Sequence, residues 1–339
     1  MRIFLCGCVH GSWEVVVNEV NKLVAKGTKI DLIIVAGDTE SFRSKSDLES
    51  YNYQRQNHDL GTFHKLVSGE LKLPCKMLMI GGNNEVGDMI FQLPFGGWVT
   101  PDIFFAGINS QIYFGDLLIT CQSGIMNGQD YHKCISEKFP VRGCDTHLIL
   151  HIREVSIFQL YGLKNVPLFV SHEWPSGIPK QYRNIPRMQF YAKSDDKNDF
   201  GCPGFVKLLN KHRPKKWYAA HLHVRFDCTL KNGTKFTGVP KVIDKRYKWY
   251  ELEEYNCNPA GGFKFSGEWI NIVKNTERFV KNPKLLQNLD WDEEWRKIYE
   301  TMNTEDFPEK VDVMEYNDDY QIQTKKFCDS YQIYNPYKI

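Results

Sequence analysis

The stretch that most limits what this chain can fold into is Arg2-Ile3-Phe4-Leu5-Cys6-Gly7-Cys8-Val9-His10-Gly11. Its first half is a short apolar run of the kind that forms a buried strand. It ends in a thiol and an imidazole separated by one residue and bracketed by glycines. Four more pieces follow the same plan. Leu32 to Ala36 runs into Gly37-Asp38, Lys76 to Ile80 into Gly82-Asn83-Asn84-Glu85, Val166 to Val170 into Ser171-His172, and Trp217 to Ala220 into His221-Leu222-His223. Ligand-type side chains at the ends of several buried strands are the requirement for a metal centre on an α/β sheet.

Each piece alone has a blander meaning. A Gly-Asp after a strand is usually a turn, a His-x-His pair is usually surface or core, and a single Cys8 reads as a small buried hydrophobe. The recurrence of the pieces in one order favours a site. A two-metal centre needs a group that bridges the ions, and a carboxylate offers one oxygen to each. Asp38 is the natural bridge, with Cys8, His10 and His223 completing one shell and Asn83, His172 and His221 the other.

The rest of the chain supports a mixed α/β domain. Ser12 to Lys26 has helical spacing and ends at Gly27, and residues 43–70 are polar and read mostly as helix. A helix is expected to open at Glu85. Ile103 to Gly107 and Gln111 to Thr120 read as antiparallel strands, with turns at Asn109-Ser110 and Gly115-Asp116. His147 to Leu163, Phe205 to His212 and Asp290 to Met302 read as helices, and the last twenty or so residues have no clear assignment. Lys and Arg total 43 against 41 Asp and Glu, so bulk charge argues neither for nor against nucleic acid. No apolar run approaches the length of a membrane span, the N-terminus lacks a signal-peptide layout, and ten cysteines in that setting read as reduced thiols.

The ordered set resembles the calcineurin-like metallophosphoesterases, whose first ligand is usually Asp. The Cys8 inside Gly-Cys-x-His-Gly is similar to the lariat RNA debranching members. Leu93-Pro94-Phe95-Gly96-Gly97-Trp98-Val99, Ser123-Gly124-Ile125, His151-Ile152-Arg153, Ser171-His172-Glu173-Trp174-Pro175 and Ala220-His221-Leu222-His223-Val224 carry the same likeness. It implies a two-sheet β-sandwich flanked by helices, with a catalytic domain at residues 1–225 and a smaller C-terminal domain or extension at 226–339 packed on it. It also implies a lariat-recognition insertion at about 124–153. The activity implied is hydrolysis of the 2′–5′ phosphodiester at the branch of an excised intron lariat. The partner implied is branched RNA, with neither DNA nor membrane, for a monomer in the nucleus and possibly also the cytoplasm.

Thiolate favours Zn²⁺ or Fe²⁺ over Mg²⁺ or Ca²⁺, and one or two ions of Fe²⁺, Zn²⁺ or Mn²⁺ are expected. In the superfamily the third piece reads Gly-Asn-His-Glu, and its His is placed to donate the proton the leaving oxygen needs. Here Asn84 occupies that station. An amide donates a hydrogen bond but transfers no proton at neutral pH, and loss of a general acid costs about 10² to 10⁴ in rate. The catalytic set is therefore Asn84 in the general-acid place, His10 and Asp38, with turnover expected to be slow. A metal-containing RNA-binding protein without catalysis, or an esterase for another phosphate ester, are the alternatives. Within the insertion Tyr131, His132, Lys133, Arg142, His147, His151 and Arg153 interleave rings and cations, the composition that grips unpaired RNA.

Overall fold

β1 (Arg2–Cys6) shows why the first run is apolar throughout: Ile3 and Leu5 face one core, Phe4 and Cys6 another. A strand buried on both faces has no polar alternation to display. The computed structural model describes residues 1–52, 59–196 and 200–337. The remaining strands are β2 (Leu32–Ala36), β3 (Lys76–Ile80), β4 (Gly97–Thr100), β5 (Ile103–Phe105), β6 (Asn109–Phe114), β7 (Leu117–Gln122), β8 (Leu168–Ser171), β9 (Lys216–Ala219), β10 (Phe226–Thr229), β11 (Lys235–Gly238), β12 (Tyr250–Glu254), β13 (Phe263–Ser266) and β14 (Lys310–Asp312).

They form two mixed sheets, in the orders β12-β1-β2-β3-β5-β4 and β10-β11-β9-β8-β7-β6-β13-β14. In the first, β1, β2, β3 and β5 run parallel; in the second, β7, β8, β9 and β11 do. Residues beyond 225 contribute strands to both sheets: β12 pairs with β1, and β13 pairs with β6.

The sheets face each other across a core that includes Leu5, Ile34, Ile80, Ile119, Val170 and Tyr218. The outer face of the first sheet is covered by α1 (Trp13–Ala25), α2 (Phe63–Val67) and α3 (Gly87–Gln92), with Val16, Val20, Phe63 and Phe91 in a second core. The other helices are α4 (Asp145–Leu148), α5 (Glu154–Tyr161), α6 (Ile178–Gln181), α7 (Gln189–Asp196), α8 (Pro203–His212), α9 (Gly267–Asn275), α10 (Glu277–Lys281), α11 (Trp291–Thr301) and α12 (Tyr320–Tyr331). Among the described residues no helix is long and apolar enough to cross a membrane, and all ten cysteines are free.

Several local expectations are corrected. The Asn109-Ser110 pair lies inside β6, because Asn109 and Ser110 pair with Gln122 and Cys121. Among the described residues of 43–70 the helical elements are a 3₁₀ turn at Lys45–Ser50 and the short α2; positions 53–58 of that expectation lie outside the described residues. The 147–163 segment is broken between α4 and α5, where Ile152 bonds back to Ile125. The unassigned C-terminus forms α12. Its Gln323 amide accepts from Trp98 N and donates to Trp98 O, both at 2.8 Å, completing the edge strand β4 as a neighbouring strand would.

Candidate metal centre

The five sequence pieces meet because β1, β2, β3, β8 and β9 all present their carboxyl ends to one gap between the sheets. The chain turns sharply there. His10, Asp38, His221 and His223 have φ of 46°, 48°, 62° and 55°, a left-handed conformation held only where the surroundings impose it. The imposing contacts are visible. Val9 N and His10 N both donate to Asp38 O, at 3.0 and 2.8 Å, and Ala220 N donates to His172 O at 3.1 Å. The glycines permit the approach. A Cβ on Gly82 would stand 2.4 Å from both Asp38 N and Asp38 Oδ1, and one on Gly37 (φ 91°) would stand 2.5 Å from His172 Nδ1.

Asp38, only 2% exposed, is the centre. Its Oδ1 accepts from the backbone N–H of Asn83 and of Asn84, both at 2.8 Å, and lies 3.3 Å from His172 Nε2. Its Oδ2 turns the other way, 3.6 Å from His10 Nε2. Two donor groups share it: Cys8, His10, Asp38 and His223 on one side, and Asp38, His172 and His221 on the other. Within each, the ligand atoms lie within 4.8 Å of one another. Asn83 joins the second group, its Oδ1 at 3.1 Å from His172 Nε2.

These atoms fit cations. His172 Nδ1 is committed to Ala36 O at 2.8 Å, so its other nitrogen converges with two oxygen acceptors, Asn83 Oδ1 and Asp38 Oδ1. On the other side His10 Nε2 and His223 Nε2 face each other at 3.1 Å, while His10 Nδ1 is held by Glu40 Oε1 at 3.0 Å. Converging acceptors repel unless a positive charge lies between them. Burial would raise the Asp38 carboxyl, but His172, His10 and His221 outweigh it and hold it well below the usual range. Burial lowers His10, yet Glu40 and Asp38 more than offset this and raise it. His223 is pushed down to about 4 by burial and the neighbouring His10. The Cys8 thiol is pushed well up by burial and by Asp38, an effect a bound cation reverses.

Three residues that hold this centre escaped the sequence reading of roles. Glu40 fixes the His10 ring so that Nε2 faces the gap. Tyr51 donates to Glu40 Oε1 at 3.1 Å and is 3.2 Å from Asn84 Oδ1. Glu85 does not open a helix; α3 begins two residues later. Its fully buried carboxylate instead accepts from Thr39 N (2.9 Å), Gly82 N (2.7 Å) and Thr39 Oγ1, clamping the two loops that carry Asp38 and Asn83. Glu85 stands in the motif itself and so was detectable. Nothing in the sequence links Tyr51 to Asn84.

The insertion is more structural than its composition suggests. Arg153, 5% exposed, is ion-paired with Glu137, and Tyr131 is buried at 7%. His151 holds Asp130 at 2.7 Å, and Lys133 holds the same carboxylate at 2.8 Å. His132 holds Glu154 at 2.6 Å, and Arg142 joins Asp88 and Glu49 at 3.0 and 2.9 Å. Of this set His132, Lys133 and His147 are exposed and Arg142 half-buried, whereas Tyr131 and Arg153 are turned inward. Rings and cations in sequence do not distinguish these two uses.

Residues 1–225 match the calcineurin-like phosphoesterase family. The chain belongs to that family. It is similar to lariat debranching enzymes from Homo sapiens (28% identity over 306 residues, 85% of this chain and 56% of that protein) and Danio rerio (30% over 304, 88% and 50%). The Drosophila melanogaster lariat debranching enzyme is 33% identical over 232 residues, 67% of this chain and 43% of that protein. The chain thus spans about half the length of the curated relatives it matches. Calcineurin-like phosphoesterases use divalent ions, and Cys8, His10, Asp38, Asn83, His172, His221 and His223 are the side chains that would hold them here. Such ions neutralise a phosphate ester and acidify a water molecule.

Proposed function

We propose that this chain is a metal-dependent phosphodiesterase that hydrolyses the 2′–5′ linkage at the branch of excised intron lariat RNA, working as a monomer in the nucleus. The observation that carries the reading is the pair of donor groups sharing Asp38, with a thiol in the first. The likeness to proteins named lariat debranching enzymes supplies the substrate. The thiol and imidazoles favour Fe²⁺, Zn²⁺ or Mn²⁺. Residues 1–225 act as the catalytic domain and 226–339 as its extension, with His132, Lys133, Arg142 and His147 of the insertion toward the RNA.

The chain's own residues do limited work in the step. Asp38 and the imidazoles would hold the ions, which would supply charge neutralisation and an acidified water, and Asn84 donates a hydrogen bond to the phosphate or the leaving oxygen. No imidazole stands at position 84 to deliver a proton, so turnover is slow. The test is cleavage of a short RNA with one 2′–5′ branch beside a linear control, for this chain and Asn84→His, with Mn²⁺ or Fe²⁺ plus Zn²⁺. Branch-selective cleavage that rises about 10²- to 10⁴-fold with His is expected. Equal rates for the two forms would reject the role given to position 84. Asn84 also sustains a second reading, a branched-RNA-binding protein without catalysis. Tight binding with no cleavage by either form would select it.

A further inference from the structure

The candidate RNA contacts of the insertion all lie on one side of the chain's sequence, yet a different pair of segments is tied directly to the metal-ligand loops. The first is α7. Tyr191 donates from its hydroxyl to Leu222 O at 2.9 Å, and Leu222 sits between His221 and His223. The second is the connection between β11 and β12, where Val242 N donates to Cys8 O at 2.9 Å. Cys8 and His223 belong to one donor group, so both segments border the same side of the centre. They form one wall beside the His223 side of the centre.

The wall has two properties that folding does not require. It exposes large apolar groups, Phe190 at 73% and Ile243 at 49%. Ile243 also has φ 66°, which for a β-branched residue is a strained conformation found mainly at functional sites. Around these groups the chain places Arg187, Lys193, Lys241 and Lys245, all exposed, and among the described residues none of them has a carboxylate partner. In the 241–246 segment the acid, Asp244, is taken up by Arg246 at 2.7 Å, and α7 ends in two further acids, Asp195 and Asp196, against the four exposed cations. An exposed ring flanked by unpaired cations is the combination that holds single-stranded nucleic acid, through base stacking and phosphate contacts together.

We propose that this wall, from α7 and residues 241–246, is a binding site for one unpaired RNA strand leaving the branch, with Phe190 stacked on a base and Lys193 and Lys241 on successive phosphates. The proposal rests on the debranching reading above. It places the strand across the His223 side of the centre, opposite in chain origin to the insertion.

The test is equilibrium binding, over a range of salt, of a short branched RNA carrying a non-hydrolysable phosphonate at the 2′ linkage. The metal-loaded full chain is compared with Phe190→Ala, Phe190→Trp and the double variant Lys193→Ala/Lys241→Ala. Mn²⁺ affinity by electron paramagnetic resonance serves as the control for an intact centre. Phe190→Ala is expected to weaken binding about 10-fold with the salt slope unchanged, and Phe190→Trp to restore it. The double lysine variant is expected to lower the slope of log affinity against log salt by about 1.4, at about 0.7 per phosphate contact of a single strand. Wild-type affinity and slope in all variants, with Mn²⁺ retained, would overturn the wall while leaving the debranching reading in place. Failure of the unaltered chain to bind or cleave branched RNA would remove both.

Discussion

Glu85 offers the sharpest check on how the centre is built. Its carboxylate is fully buried and serves three donors: Thr39 N, Gly82 N and the Thr39 hydroxyl. Glu85→Ala removes the acceptor and leaves two backbone N–H groups without partners in the interior. Each such group costs about 1–3 kcal/mol, so a loss of about 3–5 kcal/mol is expected once the small cavity is included. Glu85→Gln keeps an oxygen of the same shape for both N–H groups, and the Thr39 hydroxyl can rotate to accept from the amide, so its expected loss is about 1 kcal/mol. Burial also raises the Glu85 carboxyl to about 8, so a neutral replacement avoids a desolvation cost that the native residue bears. The assay is urea unfolding of the metal-free proteins followed by Mn²⁺ titration. Because Thr39 follows Asp38 and Gly82 precedes Asn83, the Ala form is also expected to bind Mn²⁺ more weakly while the Gln form does not. Equal stability of the two variants, or a loss below about 1 kcal/mol for Ala, would refute the clamp.

Tyr51→Phe removes the hydroxyl that meets Glu40 and Asn84, and should lower kcat on branched RNA several-fold with KM little changed, a net effect of about 1 kcal/mol; a change confined to KM would count against a positioning role. Cys8→Ser exchanges a soft ligand for a hard one, so affinity for Zn²⁺ should fall far more than affinity for Mn²⁺ in competition titrations, and equal losses would show that the thiol is not a ligand. His212 is held to about 4 by burial, which outweighs its bond to Leu160 O at 3.0 Å and is reinforced by Lys211. Its folded value lies below the unfolded 6.5, so the unfolded chain binds more protons between those values, and stability must fall as pH drops from about 6.5 to 4. His212→Gln should flatten that limb of the unfolding profile by up to about 3 kcal/mol; an unchanged limb would mean that other groups set it.

The sequence by itself determined the parts that are local. A run apolar at every position, such as Leu32 to Ala36, suits a strand covered on both faces, and the ligand-type residues that follow such runs are Asp38 and the six side chains that the fold gathers around it. Asn84 was legible beside those ligands as an amide, which has no proton to transfer at neutral pH. Tertiary structure decided what depends on distant partners. Arg153 and Tyr131 carry the composition of an RNA grip, yet burial and Glu137 turn them into supports, because a cation is spent wherever its carboxylate stands. Glu40, Tyr51 and Asn84 become one hydrogen-bonded unit only when β2 and β3 lie side by side. Tyr191 and Val242, distant in sequence, border one donor group because the first meets Leu222 O and the second Cys8 O. Periodicity records which face of an element is buried; it carries no record of which partner covers that face, and the roles of charged side chains depend on the partner.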